Sequence, residues 1–253
     1  GTVETGRLET ALDGAYAAAL RVAEGGGNGA ELQGGALSAG EADSATGRLL
    51  AAINEAIENE SFVLQFQPII SLRGDASEHY EVFLRMVDDS GAEIRPQGFL
   101  GTAIEHGVAG KIDRWVILRA IKLLMAHRAE GHDTRLTINL TANSMTDPDF
   151  PNWLGVALKA ARLPSDAVIF QVSEPDVASM VRQAQVFVQA LRAMHCQTSL
   201  SRFGTSEESL ERLRLLPVDY VKLDGSLIHA IGVDPANREP VVRMLSALQS
   251  HGK

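Results

Sequence analysis

From residue 60 onward, apolar runs of strand length alternate with stretches of helical period, and no other feature narrows the fold as much. Strands are predicted at 62–72, 79–87, 134–140, 167–172, 197–202 and 218–223, and helices at 99–106, 112–130, 151–162, 177–195, 206–215 and 239–251. In the second helix, Trp115, Ile117, Leu118, Ala120, Ile121, Leu124 and Met125 give a broad apolar face. Strands that alternate with helices pair in parallel, because each crossover helix returns the chain to the same end of the sheet. Six such strands suit either a doubly wound sheet or most of a barrel, and periodicity alone does not choose between them.

Before residue 60 the texture differs. Residues 7–24 carry Leu8, Leu12, Tyr16, Ala19, Leu20 and Ala23 at helical spacing, and Gly25-Gly26-Gly27-Asn28-Gly29 ends that pattern. Residues 30–47 are rich in Gly, Ala, Ser and Glu and read as a linker. A further helix follows, with Leu49, Leu50, Ile53 and Ile57 on one face. A chain of 253 residues, 45% hydrophobic, is enough for one large α/β domain and a smaller segment.

Charge and cysteine content exclude some functions. The formal net charge of -9 lacks the basic surplus of a protein that grips a nucleic acid polymer. A small anionic ligand stays compatible, because acidic groups beyond about 10 Å are screened from a local Arg or Lys. Cys196 is the single cysteine and is read as structural, in keeping with a reducing compartment. No apolar run approaches the roughly 18 residues of a membrane span. The first residues, Gly1-Thr2-Val3-Glu4, do not resemble a signal peptide. The expected location is cytoplasmic, with no membrane insertion; a polar position in a bacterial cell is compatible with this.

Several short strings place polar groups at strand ends, where α/β barrels collect their ligand chemistry. They are Gln67-Pro68, Glu81-Val82-Phe83-Leu84-Arg85, Asn139, Gln171-Val172-Ser173-Glu174, Ser201-Arg202-Phe203-Gly204-Thr205 and Lys222-Leu223-Asp224. Singly, each has a plain structural reading: a surface ion pair for Glu81 and Arg85, a satisfied turn for Asn139, a solvated charge for Lys222. Their order and spacing carry more. From about residue 48 to 253 the set resembles the EAL domain, the cyclic di-GMP phosphodiesterase family. That family runs QP, EALxR, an Asn after an apolar strand, E-L-T-E, D-D-F-G-T-G and K-I-D. The segment from Phe99 through Asp113-Arg114-Trp115-Val116 is similar to the family's connecting segment. The resemblance implies an α/β fold, a modified TIM-like (β/α) barrel of eight strands. Six are visible, so the C-terminal strands are expected to be missing from this chain. Residues 1–29 are similar to the tail of an upstream GGDEF-like domain. The expected organisation is therefore 1–29, a linker at 30–47 and an EAL-like domain at 48–253, incomplete at its C-terminus.

The resemblance also implies a mechanism and its loss. Members of the family hold two divalent cations that activate water for in-line attack on a phosphodiester. Their ligands include the first Glu of EAL, the Asn, the first Glu of E-L-T-E and both Asp of D-D-F-G. Glu81 and Asn139 stand at two of these places, whereas Gln171, Ser201 and Arg202 replace the acidic groups. Glu to Gln and Asp to Ser each remove one negative charge, and Asp to Arg changes it by two, so the site is more positive by four charges. A guanidinium about 4 Å from a cation is repelled by several kcal/mol at a moderate dielectric. No metal site and no catalysis are therefore expected, with Glu81, Asn139 and Lys222 as catalytic remnants. Glu174 matches the second Glu of E-L-T-E, which in the family steadies a neighbouring loop.

Binding of cyclic di-GMP is the expected retained function, with no other cofactor. Arg85 would meet a phosphate, Gln67 the ligand's polar atoms, Phe83 and Leu84 a base, and Asp113 a guanine N–H edge. Within the family, EVFLR and the lost acidic groups resemble FimX-type GGDEF–EAL scaffold proteins. These act in type IV pilus assembly and twitching motility through PilZ-domain partners; a homodimer is also compatible. The alternatives are an active or weakly active phosphodiesterase and a protein-interaction module that binds no nucleotide.

Overall fold

A computed structural model describes residues 39–250 apart from 60, 73–77, 89, 235 and 237, together with 252. The chain divides into two compact units, Gly1–Leu49 and Leu50–Lys253. Of the first, only the start of helix α1 (Ala39–Glu58) is described. This helix begins inside the 30–47 stretch read as a linker. The suggested GGDEF-like tail at 1–29 lies outside the described residues.

The second unit is built on strands β1 (Phe62–Pro68), β2 (Glu78–Val87), β3 (Glu93–Ile94), β4 (Thr134–Asn139), β5 (Val168–Ser173), β6 (Gln197–Phe203) and β7 (Tyr220–Leu223). β1 runs antiparallel to β2, and every later ladder from β2 to β7 is parallel except that to the short β3. The order is β1-β2-β4-β5-β6-β7. It rises monotonically with sequence, without the reversal that defines a doubly wound sheet. That decides the alternative left open by periodicity: this is a TIM-like barrel arrangement, open between β1 and β7 among the described residues.

The helices are α2 (Leu100–Glu105), α3 (Ala109–Ala129), α4 (Ala142–Thr146), α5 (Phe150–Ala161), α6 (Glu174–Ser179), α7 (Val181–Ala193), α8 (Ser209–Leu215), α9 (Gly225–Val233) and α10 (Arg238–Ser250). α3 buries Ile112, Val116, Ile117, Ala120, Ile121 and Leu124, the spacing of one helical face. Of these, Ile112, Ile117 and Leu124 are at most 1% exposed, worth roughly 1.5–3 kcal/mol each. β5 is buried along Val168–Val172, as expected of a central parallel strand covered on both sides.

The six long strands fall where periodicity places them, with small end corrections. β1 stops at Pro68 rather than at 72, where a residue without an N–H ends the ladder. The predicted helix at 177–195 is two helices. Ser173 caps α6 by accepting from the Asp176 N–H, Pro175 sits in the first turn, and Met180 (φ -146°, ψ 50°) breaks the path before α7. Short α4 carries too few large apolar residues to announce itself; α9 was also not predicted, and it is capped by Asp224, which accepts from the Ser226 N–H at 2.9 Å. Among the described residues, no helix is long and apolar enough to cross a membrane.

Candidate functional site

Strand register brings the distant polar strings together. Asn139 pairs with Gln171, and Gln171 with Ser199, so these side chains share the inner face. Glu81 lies two residues behind on the neighbouring strand, opposite Thr137. Lys222 arrives from β7 and gives Glu81 its counter-ion, Nζ to Oε2 at 2.5 Å. The other carboxylate oxygen accepts from Gln171 Nε2 at 2.9 Å and Asn139 Nδ2 at 3.2 Å. Gln171 Nε2 also donates to Asn139 Oδ1 at 2.7 Å, while its Oε1 accepts from the Ser199 hydroxyl at 2.9 Å. Glu81 and Gln171 are buried, yet every polar atom named here has a partner, which a low-dielectric interior demands.

The amide at 171 decides the chemistry of this cluster. A carboxylamide donates to Glu81; a carboxylate in its place would face Glu81 as a second anion and require a cation between them. Lys222 and Gln171 together direct nitrogen donors at both Glu81 oxygens, and Asn139 turns its Oδ1 to Gln171. The oxygens that a hard divalent cation would need are thus already engaged by N–H groups. At the D-D-F-G positions, Ser201 donates to the Val172 carbonyl at 3.3 Å, and Arg202 places Nε 3.7 Å from Asp224 Oδ2. Neither Ser201 nor Arg202 offers a carboxylate. Within the cluster of Glu81, Asn139, Gln171, Ser199 and Lys222, Glu81 is the one carboxylate.

Arg202 has φ 54°, the left-handed region that non-glycine residues rarely occupy, at an irregularity between Leu200 and Phe203. Gly204 follows at φ 97°, where a Cβ would collide with Met244. The loop is pinned by Glu174, 2% exposed, which accepts from the Gly204 N–H and from Arg212 Nη1, each at 2.9 Å. Its part in steadying a loop is therefore visible in the geometry.

Above this cluster opens a cavity of about 700 Å³, within the range of small-ligand pockets. Glu81, Phe83, Leu84, Asp113, Asn139, Gln171, Arg202 and Lys222 contribute to its wall. The Phe83 ring lies 5.9 Å from Lys222 Nζ. Gln67 and Arg85, expected to meet the ligand, are not among the residues that line this cavity. Gln67 stands directly opposite Glu81 in the β1–β2 ladder and is exposed. Arg85 shares the parity of Glu81 and Phe83 along β2, is half-buried, and donates to the Leu84 carbonyl at 2.7 Å.

Asp113 is held by its surroundings more tightly than its sequence suggests. Its Oδ2 accepts from the Thr141 N–H (2.8 Å), the Thr141 hydroxyl (2.7 Å) and the Ser144 hydroxyl (2.6 Å). Burial nonetheless dominates and pushes the carboxyl up to about 6. Thr141, Ser144 and Ser199, which orient Asp113 and Gln171, were not singled out in the sequence. The polar run Thr141-Ala142-Asn143-Ser144 directly after β4 was the available signal. Cys196 is buried and its thiol is pushed up to about 11 by burial, so it stays an inert thiol at neutral pH.

A sequentially ordered parallel sheet with its polar groups gathered at the strand ends defines a TIM-like α/β domain. The sequence model of the EAL domain family matches residues 50–253, and the chain belongs to that family. A solved structure of the FimX EAL domain from Pseudomonas aeruginosa bound to c-di-GMP is 43% identical; the match covers 81% of this chain and 82% of that one, with a TM-score of 0.76. The Xanthomonas citri FimX EAL domain in complex with c-diGMP is 29% identical over 84% of this chain and 83% of that one, TM-score 0.76. The Escherichia coli cyclic di-GMP phosphodiesterase PdeF is 33% identical over 183 residues, 72% of this chain but 24% of PdeF. The chain thus spans about a quarter of that relative's length.

Proposed function

We propose that this chain is a receptor for cyclic di-GMP that does not hydrolyse it. The observation that carries the reading is the Glu81 cluster, in which the Gln171 amide and the Lys222 ammonium take the place of cations. Hydrolysis in this family depends on metal-bound water, and Lys222 is engaged with Glu81 instead. The cavity beside the cluster remains open, and similar domains from two organisms carry the dinucleotide. In this reading Arg85 turns from the Leu84 carbonyl to a ligand phosphate, and Gln67 bonds polar ligand atoms. Phe83 and Leu84 pack on a base, and Asp113 accepts from a guanine N–H. Likeness to FimX EAL domains extends the proposal to a scaffold in type IV pilus or twitching motility, acting through a PilZ-domain partner.

Calorimetric titration with cyclic di-GMP in the presence of Mg²⁺, followed by chromatography of the recovered ligand, tests this reading. Saturable binding of intact ligand is expected, and Arg85→Ala should weaken it by about 10- to 100-fold, the worth of a charge-assisted contact. Recovery of linear pGpG would favour the second reading, a phosphodiesterase. Retained Glu81, Asn139 and Lys222 and the likeness to PdeF speak for that alternative. Absence of binding would leave a protein-interaction module.

A further inference from the structure

Glu78 and Glu81 stand three residues apart on β2, so their side chains leave opposite faces of the strand. Glu81 looks inward to the cavity. Glu78 looks outward, to the end of α3 and the first residue of β4. Its ladder partner is Thr134, whose hydroxyl donates to Glu78 Oε2 at 2.8 Å. Two imidazoles converge on the same carboxylate. His132 Nδ1 lies 3.0 Å from Oε1, and His127 Nδ1 lies 3.8 Å from Oε2 and 2.9 Å from the Thr134 hydroxyl. The rings stack with centroids 3.9 Å apart and planes within 6°. The two nitrogens and a carboxylate oxygen lie within 4.8 Å of one another.

The elements that carry these groups are fixed. Gly131, at φ 96°, turns the chain out of α3, and Arg128 spans the turn to the Thr134 carbonyl at 2.7 Å and to Asp133 at 3.0 Å. The three side chains are 36–41% exposed, so a hydrated ion can reach them and the core does not depend on them.

We propose that Glu78, His127 and His132 form a binding site for a zinc-class divalent transition metal, at the end of the sheet opposite the nucleotide cavity. Two neutral imidazoles and one carboxylate suit Zn²⁺, Ni²⁺ or Cu²⁺, whereas Mg²⁺ favours an all-oxygen shell. Each Nδ1 now presents its hydrogen to an oxygen; on ligation the two rings turn out of their parallel stack so that both in-plane Nδ1 lone pairs meet the metal, and each ring keeps one hydrogen, on Nε2. Thr134 continues to orient the Glu78 carboxylate from behind, as outer partners of ligating carboxylates do. With three protein ligands, water completes the shell. The ion would clamp the end of α3 to β2 and β4. This site is independent of the nucleotide reading.

The test is a titration of the metal-stripped 253-residue chain with Zn²⁺ in competition with a chromophoric chelator. One equivalent should bind, and the thermal midpoint should rise until that equivalent is reached. His127→Ala and His132→Ala should each weaken binding by at least about tenfold, and the double variant should abolish it. Co²⁺ should give tetrahedral visible bands that vanish in the double variant. The metal-free midpoints of the variants should match the parent, which confirms that they fold. Lack of saturable Zn²⁺ binding would overturn the proposal, as would Zn²⁺ binding that survives in the double variant.

Discussion

Two glutamates on one strand meet opposite fates. The Glu81 side chain is 5% exposed and surrounded by an ammonium and two amides; that of Glu78 is 36% exposed, beside a hydroxyl and two imidazoles. Strand alternation separates them, and their neighbours then assign the chemistry. At the inner end the carboxylate is neutralised by protein groups that cannot leave. At the outer end its partners are themselves metal-ligand types, and water has access. The same residue type is a closed structural charge in one place and an open donor in the other.

The sharpest way to break this contrast is Gln171→Glu. The change replaces a donor with a second carboxylate 2.9 Å from Glu81 in a buried setting. It should destabilise the domain by about 3 kcal/mol at pH 7, through an unsatisfied buried charge. Denaturant midpoints should recover toward the parent's as the pH falls and one carboxyl takes up a proton. A variant as stable as the parent at neutral pH would mean that the inner cluster tolerates a second anion.

Asp113 gives the next largest effect. Its folded value near 6 lies above its ordinary 3.8, so between these pH values the folded state binds more protons than the unfolded one. Stability from this group is therefore present below about pH 4 and lost as the pH rises to about 6, by up to about 3 kcal/mol. Asp113→Asn should flatten that slope in urea unfolding. If the ionised carboxylate accepts a guanine N–H, cyclic di-GMP affinity in the parent should rise through the same window.

Smaller effects separate the two ends directly. Lys222→Met strips the cation from buried Glu81 but leaves its amide donors, and Lys222 is itself half-exposed; a loss of about 1–2 kcal/mol is expected. Glu78→Gln, at the exposed end, should leave metal-free stability close to that of the parent. Equal losses from the two substitutions, read by urea unfolding at pH 7, would erase the distinction between them.

Much of this arrangement was legible in the sequence because it rests on short-range periodicity. β5 reads as a strand from the apolar run Ala167-Val168-Ile169-Phe170, and α3 from its apolar face. Periodicity did not give the barrel order, because the choice between rising and reversing strand order lies in pairing partners far apart in the chain; the ordered motif strings and the family they resemble gave it instead. The inner cluster was legible as a set of strings but not as a bonding pattern. The identity of Gln171 shows a missing charge, yet only register reveals that its amide bridges Glu81, Asn139 and Ser199. The outer cluster was invisible for the same reason. Glu78 lies far in sequence from His127 and His132, and the β2–β4 register alone draws them together.

The closed bonding of the inner cluster has a consequence for time. An enzyme spends the messenger it meets, so its output depends on turnover and on the supply of metal. In the proposed receptor the dinucleotide leaves as it arrived. Occupancy then follows the surrounding concentration in both directions, at a pace set by dissociation, and many receptors can sample one pool without draining it.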